Sequence, residues 1–129
     1  MTICLPWGVP AIQFPVLLEQ IKALADETRL KIFKLVADQE FCVCQIVPAV
    51  GLSQPTVSIH LGKLKRARLV RERRAGQWSF YSGDPEGIAA FREALAEFFA
   101  ADPASLPELR EVVARVGPTK SEGGRCDGY

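Results

Sequence analysis

The stretch GLSQPTVSIHLGKL, residues 51–64, decides the fold. Gly51 interrupts what precedes it, and Ser53 is a natural N-cap whose hydroxyl accepts an otherwise unpaired backbone N–H. Pro55 is tolerated in a first helical turn, where its missing N–H costs nothing. Val57, Leu61 and Leu64 then recur at i, i+4 and i+7, the period of one helix face. The spacing predicts a helix of about four turns. With those three residues turned inward, a step of about 100° per residue turns Ile59, Gly62, Lys63 and Arg66 outward and puts Thr56, Ser58 and His60 on the flanks.

The segments on either side fit the same plan. Upstream, Phe41–Val50 reads as a short helix in which Pro48 must sit near the end or make a kink. Before it, Asp26 is placed to cap a helix whose buried face is Leu30, Ile32, Phe33, Leu35 and Val36. Leu17, Ile21 and Leu24 mark a first helix from Val16 to Ala25. Downstream, LVRERR and QWSFYS flank Ala75-Gly76 and predict a β-hairpin. Ile88, Phe91, Leu95 and Phe98 stripe a further helix between Pro85 and Ala101, and Leu106–Val116 predicts a last, shorter one. The expected organisation is an N-terminal arm over residues 1–15, one domain over 16–101, and a short helix with a polar tail over 102–129.

Two short helices joined by VGLS, the second with polar outward side chains and followed by a basic hairpin, make a winged helix-turn-helix. The fold class is mostly α with a small β-hairpin wing. The charge agrees. Net charge is only +1, but seven basic residues from Lys63 to Arg74 face Glu72 alone, a local +6 on a body of −5. Such a patch beside such a helix points to double-stranded DNA. Gln54, Thr56, Ser58 and His60 are candidates for base edges or phosphates, and Ile59 for a thymine methyl. Lys63, Lys65 and Arg66 suit phosphates, as do Arg71, Arg73 and Arg74 near the hairpin tip; Trp78 and Tyr81 are expected to brace the wing. Neither a phosphate-binding glycine loop nor a hydrolase triad is present, so an enzyme is not expected. The N-terminal residues, apolar but broken by Pro6, Pro10 and Pro15, read as neither signal peptide nor membrane span. A reducing cytoplasm is the expected compartment.

In that compartment cysteines serve metals or redox sensing better than structural disulfides. The chain has four: Cys4, Cys42, Cys44 and Cys126. A regular helix sets residues 42 and 44 about 200° apart, with their sulfurs on nearly opposite sides. One thiophilic ion holding both would then have to unwind the start of that helix, just ahead of the recognition helix. Further sulfur would come from Cys4 on the arm or Cys126 on the tail. His60, the single histidine, reads as a DNA or capping contact rather than a ligand.

LADETRLKIFKLV, FCVC, LSQPTVSIHLGKL and RRAGQWSFY, in this order and spacing, resemble the ArsR/SmtB family of bacterial metal-sensing repressors over residues 16–99. The resemblance implies a homodimer joined through the first and fifth helices, which assigns Leu17, Ile21, Ile88, Phe91, Leu95 and Phe98 to the interface. It also implies a palindromic operator released on metal binding. Cys-Val-Cys resembles the arsenite/antimonite sensors, whose inducer is As(III) or Sb(III), and the cadmium/lead sensors. Where the arsenite type often has a third cysteine, this chain has Val47. The histidine ligands of a zinc-type site on the fifth helix are absent. The alternatives are a Cd(II), Pb(II) or Zn(II) sensor, and a thiol-redox switch.

Overall fold

The computed structural model describes residues 12–117. Helix α1 spans Phe14–Leu24, α2 Glu27–Asp38, α3 Val43–Val50, α4 Gln54–Arg66, α5 Pro85–Ala100 and α6 Arg110–Val116. Strand β1 spans Phe41–Cys42, β2 Val70–Ala75 and β3 Trp78–Gly83. Phe14 and Pro15, expected in the arm, already belong to α1, because a proline in the first turn has the backbone angle a helix needs. The Asp26 carboxylate accepts the Arg29 N–H at 3.0 Å and starts α2. That bond holds the carboxyl below the usual carboxylate range. Gly51, at φ 70°, ends α3 by donating its N–H to the Val47 carbonyl, and Ser53 caps α4.

The apolar stripes meet where the sequence placed them, except that Leu30, expected on the buried face of α2, is 51% exposed. Ile32 and Val36 of α2, Ile46 of α3, and Val57, Leu61 and Leu64 of α4 are wholly buried with Leu69. Each side chain contributes about 1.5–3 kcal/mol by leaving water, so this three-helix core fixes the angle between α3 and α4. Gln20 is buried but not orphaned, since its amide donates to the Ala67 carbonyl at 3.2 Å. A second cluster joins Ile12 and Leu17 to Ala94 of α5 and to Leu106, with Phe91 shared between the two.

Three further expectations are corrected. Phe41 and Cys42 do not open α3. They form β1, which adds to the hairpin as an antiparallel third strand in the order β1-β3-β2, with Phe41 opposite Tyr81 and Cys42 opposite Phe80. The hairpin turn lies one residue later than expected. Ala75 pairs with Trp78, so Gly76 and Gln77 form the turn, and Gly76 takes φ 61° at its first position. Trp78 therefore sits at the wing tip, half exposed, whereas Tyr81 is buried as expected. Finally, the helix expected from Leu106 starts only at Arg110. Pro103 and Pro107 break the preceding residues into two short 3-10 turns, at Pro103–Ser105 and Pro107–Leu109.

Candidate nucleic-acid interface and thiol site

On α4 the outward residues are where the helical period puts them. Gln54, Ser58, Lys63 and Arg66 are exposed, Thr56 is half-buried, and Ile59, a large apolar side chain, is 59% exposed. Thr56 Oγ1 lies 2.8 Å from Ser53 Oγ and shares in the cap. His60 is turned aside: its Nδ1 lies 3.4 Å from Arg29 Nη1 on α2, so it bridges two helices. Arg29 itself is anchored by donating from Nε to the Ala23 carbonyl at 2.8 Å.

The wing's charges are not all free. Glu72, the single acidic residue in the basic run, is its organiser. It accepts from Lys65 Nζ at 3.1 Å and from the Tyr81 hydroxyl at 3.0 Å, and it lies 3.7 Å from Arg74 Nε. Lys65 holds the Glu72 carboxyl below the usual range. Burial, with Glu72 as hydrogen-bond acceptor, pushes the Tyr81 phenol up to about 12. Arg74 remains largely exposed, with 77% of its side chain open to solvent. Arg73 does not. Its Nη2 lies 2.7 Å from Glu40 Oε1 and its Nε 3.1 Å from Oε2, a two-point grip, and its guanidinium carbon sits 4.5 Å above the Phe80 ring. The grip holds the Glu40 carboxyl below its usual range. Glu40, Glu72 and Arg29 were not among the sequence candidates. Only Glu72 carried a signal, as the lone acid in a basic run.

The cysteine pair departs most from expectation. Cys42 is the N-cap of α3, in extended backbone at φ −71° and ψ 148°, so the 200° separation of a helix does not apply. Its sulfur accepts the Cys44 N–H at 3.3 Å and lies 2.6 Å from the Cys44 sulfur, while Gln45 Oε1 accepts the Cys42 N–H at 2.9 Å. The two thiols already share one side. Cys42 is buried and Cys44 exposed. The bond that Cys44 donates to its neighbour pushes its thiol pKa upward. Among the described residues no third His, Cys, Asp or Glu completes a metal-binding group, and Cys4 and Cys126 lie outside them. A groove of about 500 Å³ runs between α1, the end of α4 and the start of α5, and no cysteine lines it.

Of the residues assigned to an interface, Leu17 is turned into its own protomer at 4% exposed, whereas Ile21 is 40% exposed beside Leu18 at 51%. Ile88, Phe91, Leu95 and Phe98 are half-buried.

Comparison with known proteins agrees with this geometry. The family described as bacterial regulatory protein, arsR family, matches residues 26–72, from the α2 cap to β2. The solution structure of a homodimeric winged helix-turn-helix DNA-binding domain from Mycobacterium bovis, titled a possible ArsR-family transcriptional regulator, is 35% identical. It superposes with a TM-score of 0.55 over 67% of this chain and 79% of that one. The chain belongs to the ArsR family. That family is one of regulators rather than enzymes, as the sequence predicts. Among curated ArsR proteins, the arsenic resistance transcriptional regulator ArsR1 of Pseudomonas putida is 46% identical over 66 residues, 50% of this chain and 52% of that protein. The arsenical resistance operon repressor of Escherichia coli is 41% identical over 69 residues, 53% of this chain and 59% of that protein. The chain thus spans between half and three fifths of these curated relatives. Among the described residues no helix is long and apolar enough to cross a membrane.

Proposed function

We propose that this chain is a dimeric repressor that occupies operator DNA through α4 and the wing, and leaves it when trivalent arsenic or antimony is held by Cys42 and Cys44. The observation that carries the reading is the pair of thiols brought together at the junction of α3 and the wing sheet. Soft sulfur donors suit a thiophilic ion. The relatives named for arsenic resistance support the choice of inducer. In the binding step each thiol proton leaves with an arsenous acid hydroxyl as water while an As–S bond forms, with no change of oxidation state. Cys4 or Cys126 supplies the third sulfur.

On the DNA side, Gln54, Ser58 and Ile59 face the bases with Thr56 at their edge, and Lys63, Arg66 and Arg74 neutralise phosphates. His60 supports the helix from the α2 side. Leu18 and Ile21 of α1, with half-buried Leu95 and Phe98 of α5, meet their copies across the two-fold axis, as the exposed Leu18, Ile21 and Phe99 on these helices favour.

Replacing both cysteines, Cys42→Ser with Cys44→Ser, leaves operator binding intact and abolishes release by arsenite in an electrophoretic or anisotropy assay; release by the double variant refutes the reading. A second reading, a cadmium, lead or zinc sensor, is favoured if all four sulfurs converge, because these ions take four thiolates. A divalent cation displaces protons from thiols, so its affinity rises about tenfold per pH unit for each proton released. Neutral arsenous acid releases water, and its affinity stays flat with pH. Release by peroxide and not by any metal or metalloid would indicate the redox switch.

A further inference from the structure

We infer that the Glu40–Arg73 ion pair is the relay that ties the wing to the occupancy of the Cys42–Cys44 thiols, which makes Arg73 a positioning residue and not a phosphate contact. The inference rests on the dithiol reading of those cysteines.

Four groups form a closed ring around the base of the wing. Cys42 pairs with Phe80 across β1 and β3, and Phe80 pairs with Arg73 across β3 and β2. The Arg73 guanidinium lies over the Phe80 ring and grips both carboxylate oxygens of Glu40. Glu40 is joined to Cys42 through Phe41 alone. A planar guanidinium held at two points and stacked on a ring has little freedom to swing out to a phosphate. β1 is only two residues long. Its hold on the wing therefore depends on this side-chain link as much as on its backbone.

Filling the thiol site disturbs one corner of that ring. An ion held by both sulfurs takes their protons and replaces the contact between the two thiols with its own bonds. The Cys42 sulfur also loses its role as acceptor for the Cys44 N–H, the bond that caps α3. Cys42 is buried and cannot yield toward solvent on its own. Its displacement carries β1 with it, and through Glu40 and Arg73 it moves β2 of the wing. The thiol site and the DNA face are thus coupled through one element with two arrangements.

The test uses full-length protein and a duplex from the DNA upstream of its own gene. The thiol probe is phenylarsine oxide, which needs only two neighbouring thiols: two As–S bonds form, the As–O oxygen leaves as water, and nothing is oxidised. Uptake is counted by mass spectrometry, and affinity is measured by anisotropy across a salt series. The wild type takes up one probe at Cys42 and Cys44 and loses affinity by a factor within the range of about 5–150 usual for coupled sites. In Glu40→Gln, Arg73→Ala and Arg73→Lys the uptake is unchanged, while the release factor shrinks by about 2- to 30-fold. The slope of log affinity against log salt stays that of the wild type in Arg73→Ala. Undiminished release in Glu40→Gln overturns the relay. So does a shallower slope in Arg73→Ala, by about 0.9 per protomer, together with full function in Arg73→Lys, for that is the pattern of a phosphate contact. Wild-type uptake without release also overturns the relay, whereas absence of uptake refutes the dithiol site beneath it. Arsenite tested alongside on the wild type reports on the inducer separately.

Discussion

Tyr81 shows how one side chain can hold the wing to the body. Its ring is 8% exposed and its hydroxyl donates to Glu72, which also accepts from Lys65 of α4. A phenol raised to about 12 in the folded chain, against about 10 unfolded, contributes stability that is complete below pH 10 and is lost as pH rises through 12. The chain has two tyrosines. Absorbance titration of phenolate therefore gives two steps, the later near pH 12, and Tyr81→Phe removes the later one. The loss in stability is about 0.5–1.5 kcal/mol, because Glu72 keeps Lys65 and Arg74 as partners. A single step near pH 10 in the wild type would contradict the buried bond. Cys42 teaches a related lesson at this scale. Spacing arguments assume a regular helix, and a residue that caps one obeys different geometry.

Among the elements, α5 depends on a single missing methyl group. Arg68, between α4 and β2, adopts φ 60°, and its carbonyl faces Gly87 in the first turn of α5, where a Cβ would stand 1.7 Å from that oxygen. Backbone cannot give way as a flexible side-chain end can, so Gly87→Ala has to push α5 off the end of α4. Overpacking in cores costs about 1–3 kcal/mol, and this substitution is expected at or above the top of that range, read as a fall in the urea midpoint. An unchanged midpoint would show that the two elements are not in register there. The larger elements were legible because their apolar residues repeat at the helical period, as Val57, Leu61 and Leu64 do. The recognition face follows from the same stripe. β1 was not legible, since two residues show no period and their partners, Phe80 and Tyr81, lie far along the chain. The Glu40–Arg73 grip was hidden for the same reason. Without β1, nothing in the sequence brings residue 40 beside residue 73.

At the scale of the whole molecule, charge and apolar surface divide the labour. The basic residues of α4 and the wing serve one face, and the second apolar cluster binds α1, α5 and the segment after Ala100 at another. Leu106 anchors that segment at 6% exposed, between proline-broken turns that have few other ties to the body. Removing its branched end leaves a cavity that the stiff turns cannot close, so Leu106→Ala is expected to cost about 2–4 kcal/mol. In a dimer built on α1 and α5, unfolding is linked to dissociation, and the midpoint rises with protein concentration. Leu106→Ala therefore lowers the urea midpoint at every concentration and also weakens the dimer in sedimentation equilibrium, because the helices of the proposed dimer face lose their inner support. If stability falls but the dimer constant stays put, the C-terminal segment steadies the protomer without shaping the face it presents to its partner.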